Sequence, residues 1–168
     1  MPKIIENLQQ RLVREAGRQI QQSGYENMTI RSVAKECGVG VGTVYNYFPS
    51  KEDLVAAYLL EDWKVCVDNI TAASDSARDR EQVLWAIYEN LSLFMERHSR
   101  IFRAETAAAS FTGSFSRYHG LLRSQLAAPI CKFCRDSFTA EFIAEALLTW
   151  TVAGKDFDEV SNVLKRVF

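Results

Sequence analysis

Three glycines within five residues, Gly38, Gly40 and Gly42, stand between two short runs of apolar residues at helical spacing. Ile30, Val33, Ala34 and Cys37 fall on one face of a helix over residues 30–37, which Thr29 caps and Gly38 ends. A second short helix spans about residues 41–48 and turns Val44 and Phe48 inward. Ala34 is small where a larger side chain would push the helices apart. Gly38 fits a turn that needs positive φ, which glycine adopts without steric cost. Val44, ten residues after Ala34, points back into the same core, which Ile30, Val33, Val39 and Phe48 complete. Small, glycine and branched residues at these positions describe a helix-turn-helix.

The rest of the chain also reads as helix. No stretch alternates apolar and polar residues with regular turn signals, so β architectures lack support. A first helix is expected over about residues 2–23, with Ile4, Ile5, Leu8, Leu12, Ala16 and Ile20 on one face and Gly24 as the stop. After Pro49, Ser50 with Asp53 starts a long helix to about residue 73, and a polar loop is expected over residues 72–79. Helices follow over about residues 80–96, 99–110, 115–134, 139–153 and 156–167. Thr112-Gly113-Ser114 is expected to break the chain and Pro129 to kink the helix around it. The expected fold class is all-α: a three-helix helix-turn-helix domain over residues 1–50, then a helical bundle over residues 51–168.

The recognition helix of such a motif lies in the major groove and meets the bases at its N-terminal end. With Val44 and Phe48 inward, its outward residues are Val41, Gly42, Thr43, Asn46 and Tyr47, with Tyr45 at the edge. Gly42 lets the backbone approach DNA. Thr43 and Tyr45 carry hydroxyls for phosphate, Asn46 matches an adenine edge, and Tyr47 reaches a base or a sugar. Lys51 places a positive charge at the start of the long helix. A plainer role stays open: Tyr45 and Tyr47 as packing of the small domain, Arg31 and Lys35 as a solvated helix face. Charge agrees with the first role. Residues 1–51 carry seven Lys/Arg against four acids, within a chain of net charge −1.

GVGVGTVYNYFPSKEDL, residues 38–54, resembles the signature of the TetR family of bacterial transcriptional repressors, and Thr29-Ile30-Arg31 and Gly24-Tyr25 match as well. The resemblance implies an N-terminal DNA-binding domain, an effector-binding helical body, and a homodimer formed through the last two long helices. It implies phosphate contacts for Thr29, Tyr45 and Lys51, and base contacts for Arg31 and Thr43. Gly40 replaces the serine frequent in the family, and Val41 replaces a basic residue or proline. The recognition helix therefore carries no Lys or Arg, and Arg31 becomes the side chain to read a guanine.

The C-terminal body is rich in large rings, as any helical core requires. An effector cavity among its middle helices is expected to involve Trp63, Cys66, Trp85, Tyr88, Phe102 and Tyr118; Phe94, Phe111, Phe115, Phe133 and Trp150 are the other large rings of the body. Such a cavity suits small aromatic or lipophilic molecules. One apolar stripe, Phe142, Ile143, Ala146, Leu147, Trp150 and Ala153, and another, Phe157, Val160, Val163, Leu164 and Val167, are expected to form the dimer. Both stripes can equally pack inside one subunit.

No catalytic pattern involves the two histidines, His98 and His119, so the expectation is not an enzyme. Gly38-Val39-Gly40-Val41-Gly42 follows a helix and lacks the third glycine of a dinucleotide loop. No cofactor is expected. Cys131-x-x-Cys134 has no second Cys or His pair beside it, so structural thiols are expected in place of a metal site. The longest apolar run, residues 54–60, is far short of the about 20 residues of a membrane span. No signal segment opens the chain, so a cytoplasmic protein with no membrane partner is expected. The expected partners are a double-stranded pseudo-palindromic operator, a second copy of the chain and a small effector. The alternatives are a small-molecule-binding or enzymatic helical protein, or an interaction adaptor, with a helix-turn-helix that is only structural.

Overall fold

In the computed structural model, which describes residues 7–103 and 105–166 (105–117 by backbone alone), every described secondary-structure element is helical. α1 (Leu8–Ser23), α2 (Ile30–Cys37) and α3 (Val41–Tyr47) come first. α4 (Lys51–Ser76) and α5 (Arg80–Arg97) follow, then short α6 (Ser99–Phe102) and long α7 (Glu105–Ile130). A 3-10 turn over Cys131–Phe133 leads to α8 (Ser137–Val152) and α9 (Phe157–Leu164). Ile4, Ile5 and Val167, and the side chains of Phe111 and Phe115, lie outside the described residues.

The chain divides into two compact units. The first holds Met1–Glu61 and His98–Ser116, the second Asp62–Arg97 and Arg117–Phe168. In the first, α1 packs on α2 and α2 on α3. Leu12, Ala16 and Ile20 of α1, Val33 and Ala34 of α2, Val44 of α3 and Phe48 after it are buried, with Met28 and Leu54 beside them. Fully burying a side chain such as Leu12 or Val44 stabilises by about 1.5–3 kcal/mol, which lets two helices of eight and seven residues persist although neither would hold alone in water. A Cβ at Gly17 would lie 2.4 Å from the Tyr58 ring, so glycine is what lets that ring come down on α1.

In the second unit α5 packs on α8, and α9 lies on both. Val83, Leu84, Ile87 and Leu91 of α5 and Ile143, Ala144 and Leu147 of α8 are buried. The helix starts follow the sequence chemistry. Asp79 Oδ1 accepts from Gln82 N at 2.9 Å, Asp136 Oδ1 from Thr139 N at 2.8 Å, and Asp156 Oδ1 from Glu159 N at 3.0 Å.

Several expected boundaries are corrected. α4 runs to Ser76, through the first half of the loop expected over residues 72–79. α6 ends at Phe102, and α7 starts at Glu105 and continues through the Thr112-Gly113-Ser114 segment. One glycine costs a helix about 1 kcal/mol, too little to break a helix of 26 residues. Pro129 is next to last in α7, so it marks the end of that helix instead of a bend within a longer one.

Candidate nucleic-acid interface

The helix-turn-helix is fixed by local chemistry at both ends of α2. Thr29 Oγ1 accepts from Ser32 N at 3.0 Å, and Ser32 Oγ accepts from Thr29 N at 3.1 Å. This reciprocal cap satisfies two backbone donors that the first turn leaves free. Ser32 Oγ also donates to Gln19 Oε1 at 2.5 Å, tying α2 to α1. At the far end Gly38 takes φ 67° and ψ 33°, the left-handed conformation that favours glycine. Arg11 of α1 donates from Nη2 to the Cys37 carbonyl at 3.0 Å, a cation at the negative end of α2. Neither Gln19 nor Arg11 was marked by the sequence for these roles, since nothing in their spacing names a partner in another helix.

α3 presents the expected outer face. Val44 is fully buried and Phe48 nearly so, while Tyr45 and Tyr47 are 49% and 42% exposed. Gly42 and Asn46 are exposed, and Val41 and Thr43 are half-buried. A Cβ at Gly42 would meet nothing within 4 Å, so the backbone there is open to approach. Gly40 occupies the N-cap without a side chain to cap it, and its carbonyl accepts from Thr43 N at 3.0 Å. Thr29 and Arg31 are exposed at the start of α2. The Thr29 hydroxyl is thus already the helix cap.

Lys51 is half-buried, and its Nζ donates to the Tyr25 carbonyl at 2.7 Å. The same ammonium lies 4.1 Å from the centroid of the Tyr25 ring. Burial lowers its pKa against the opposing pull of Glu26 and Glu52. Tyr25, itself buried, donates its hydroxyl to Glu52 Oε1 at 3.3 Å, and burial, helped by that carboxylate, pushes the phenol up to about 12. Lys51 and Glu52 therefore clamp the segment between α1 and α2 to the start of α4. An ammonium has three donors, and one goes to the Tyr25 carbonyl. The sequence pointed to the lysine but gave no sign of the clamp, because Tyr25 lies 26 residues away.

Residues 12–58 match the bacterial regulatory proteins of the tetR family. This N-terminal segment belongs to the TetR family. An HTH-type transcriptional regulator of Staphylococcus aureus is 26% identical over 101 residues, 60% of this chain and 55% of that protein. The uncharacterized HTH-type transcriptional regulator YuxN of Bacillus subtilis is 37% identical over 75 residues, 42% of this chain and 25% of YuxN. The chain thus spans about half or less of the length of these curated relatives. Thermus thermophilus FadR, a TetR-family repressor solved with lauroyl-CoA, shares the fold at TM-score 0.68 and 19% identity, over 95% of this chain and 92% of that one. The multidrug binding protein EbrR, solved with imidazole, does so at TM-score 0.60 and 20% identity, over 95% and 88%.

Beyond the matched segment, the six side chains expected at an effector cavity fall into different settings. Trp63 is buried, donates from Nε1 to Gln125 Oε1 at 2.8 Å, and meets Phe94 edge-on at 5.4 Å. Cys66 is buried on α4, and burial pushes its thiol up to about 12. A cleft of about 60 Å³ adjoins Cys66 and Phe94, with Asn90 and Arg97 in its wall. Trp85 and Tyr88 lie instead with Phe157, at ring separations of 4.9 and 5.4 Å from it, and Trp85 is 46% exposed. Tyr88 donates its hydroxyl to the Lys155 carbonyl at 3.0 Å. Phe102 and Tyr118 are both half-buried, the one in the first unit and the other in the second.

The stripe expected on α8 divides in two. Ile143 and Leu147 are fully buried in the core of the second unit, while Phe142 and Trp150 are 50% and 49% exposed. Ala146 is half-buried and Ala153 exposed. On α9, Val160 and Leu164 are buried, Phe157 is half-buried and Val163 is exposed. Phe142, Ala146, Trp150, Val160, Val163 and Leu164 line one open apolar groove of about 350 Å³.

Proposed function

We propose that this TetR-family regulator is a homodimeric repressor that leaves a pseudo-palindromic operator when a small aromatic or lipophilic effector binds. The observation that carries the reading is the exposure of Tyr45, Asn46 and Tyr47 on α3 over a buried Val44 and Phe48. A recognition helix needs that division between anchor and reader. Val41, Gly42, Thr43, Asn46 and Tyr47 face the groove, Arg31 reads a guanine, and Thr29, Tyr45 and Lys51 hold phosphates. Residues 1–50 form the DNA-binding module, and residues 51–168 bind effector and form the dimer.

The exposed side of the α8 stripe, Phe142, Ala146, Trp150 and Ala153, supports a second copy of the chain as its cover, with Val160 and Leu164 of α9 lining the groove and Phe157 packed beside Trp85 and Tyr88. The two recognition helices then reach successive major grooves about 34–36 Å apart. The Trp63 and Phe94 rings near the cleft at Cys66 support an apolar effector, whereas Trp85, Tyr88, Phe102 and Tyr118 lie in other settings. The ligands of two proteins of the same fold, lauroyl-CoA in FadR and imidazole in EbrR, are in keeping with a small-molecule site in the body. The effector acts through its differential affinity for the DNA-competent and incompetent states. The protein works in the cytoplasm, where its operator is.

Selection of genomic fragments by the purified protein in moderate salt, read by sequencing, tests this reading. The expected result is an enriched pseudo-palindrome with half-sites one helical turn apart. No enrichment from folded, dimeric protein, together with turnover of an aromatic compound, would overturn it in favour of an enzymatic helical protein.

A further inference from the structure

Two of the four cysteines have no part in the reading above. Cys37 and Cys66 are buried in the first and second unit, and their thiols face the carbonyls of Arg11 and Asn90 at 3.7 and 3.6 Å. Cys131 and Cys134 differ from them. Cys131 is exposed and Cys134 half-buried, and both sit at the mouth of the connection from α7 to α8. Pro129 and Ile130 end α7, and the 3-10 turn over Cys131–Phe133 places the two cysteines at its start and just past its end. Cys134 N donates to the Cys131 carbonyl at 3.4 Å, closing an i to i+3 turn. Such a turn holds the outer Cα atoms within about 7 Å. Disulfides span Cα separations of about 4.4–6.8 Å. Among the described residues no third Cys, His, Asp or Glu joins the pair in a group that could hold a metal ion. The pair is thus a free dithiol in a turn of disulfide size.

We propose that Cys131 and Cys134 are a thiol-modification site that closes to an intramolecular disulfide when the protein meets a hydroperoxide. Exposed Cys131 is the first nucleophile. Its thiolate attacks a peroxide oxygen, the O–O bond breaks, and the sulfur becomes a sulfenic acid while the leaving oxygen takes a proton as water or alcohol. The Cys134 sulfur then attacks the sulfenic sulfur, the S–S bond forms, and hydroxide leaves with the Cys134 proton as water. The two thiols lose two electrons and two protons, and the peroxide is reduced. Burial, with Cys131 and Asp136 nearby, raises the Cys134 pKa, which suits it to the resolving step and not the first. The new ring spans the connection just before Asp136, the cap of α8, and stiffens it. The site stands whether or not the chain binds DNA.

Reduced full-length protein is treated with hydrogen peroxide, alkylated under native and denaturing conditions, and weighed intact. The expected product has lost two alkylatable thiols together, is lighter by two hydrogens, maps to one peptide linking Cys131 and Cys134, and returns with dithiothreitol. Cys131→Ser and Cys134→Ser each abolish that product, and Cys131→Ser slows the first thiol loss by about tenfold or more. Buried Cys37 and Cys66 resist alkylation under native conditions, which reports that the fold survived, and are alkylated on denaturation. Three outcomes overturn the proposal: Cys131 oxidised beyond the sulfenic acid while Cys134 remains alkylatable, a disulfide between chains on a non-reducing gel, or four thiols intact after treatment.

Discussion

Lys51 shows how one residue can carry two duties that separate measurements resolve. Its ammonium holds the Tyr25 carbonyl at 2.7 Å and sits over the same ring, so its loss weakens the first unit even without DNA. Lys51→Ala is expected to lower stability by about 1 kcal/mol, read as a lower urea midpoint at unchanged slope. If the remaining donors hold a phosphate, the same variant also lowers the salt slope of operator binding by about 1. A stability loss with an unchanged salt slope would make Lys51 a clamp and nothing more. Tyr25 allows a second test. Its phenol is near 10 in an unfolded chain and about 12 when folded. A folded pKa raised above the unfolded one gives stability that is complete below pH 10 and is lost as pH rises through about 12. Lys51, shifted downward, works the other way at lower pH, below its ordinary value, so the informative comparison across the tyrosine's window is between wild type and Tyr25→Phe. Wild type is expected to lose stability more steeply between pH 10 and 12, and parallel curves would contradict the buried-phenol account.

Among the elements, the helix-turn-helix was the most legible in sequence. Thr29, Gly38, Val44 and Phe48 act through short-range rules, and each sits where its chemistry requires. Gly38→Ala tests one such rule. No atom lies within 4 Å of the added Cβ, so its cost is the left-handed backbone alone, about 1 kcal/mol or slightly more. Thermal unfolding is expected to shift down by about 2–4 °C, with Gly38→Asn losing less. An unchanged midpoint would mean that the turn relaxes freely. Elsewhere local rules were outweighed. Gly113 sits inside α7, and the polar residues before Ala77 stay helical. In both cases long helices absorb residues that would stop short ones. Helical periodicity likewise marked α8 as apolar without saying which neighbour covers each side. Phe142 and Ile143 are adjacent in sequence and so about 100° apart around the helix, and one is half exposed while the other has no accessible surface.

At the scale of the whole molecule that split in α8 becomes a test of assembly. Phe142 and Trp150 contribute exposed apolar surface to the groove between α8 and α9, whereas Leu147 belongs to the protomer's core. Exposed positions are typically replaced at within about 0.5 kcal/mol of protomer stability. Phe142→Glu is therefore expected to leave a folded chain with native helix content that sediments as a monomer. Leu147→Ala should behave differently: a buried leucine truncated to alanine costs about 2–5 kcal/mol, so the protein melts early while any dimer that forms keeps its surface. The DNA consequence follows from linkage of two sites. One bound half-site holds the second recognition helix at an effective concentration that can reach about millimolar, so a two-headed protein gains on the order of 10²–10⁴ in affinity over one head. The Phe142→Glu monomer is expected to lose about that factor on the full pseudo-palindrome and almost nothing on an isolated half-site. A Phe142→Glu protein that stays dimeric would move the interface off this groove. A monomer that kept wild-type affinity for the full site would separate DNA binding from dimerisation altogether.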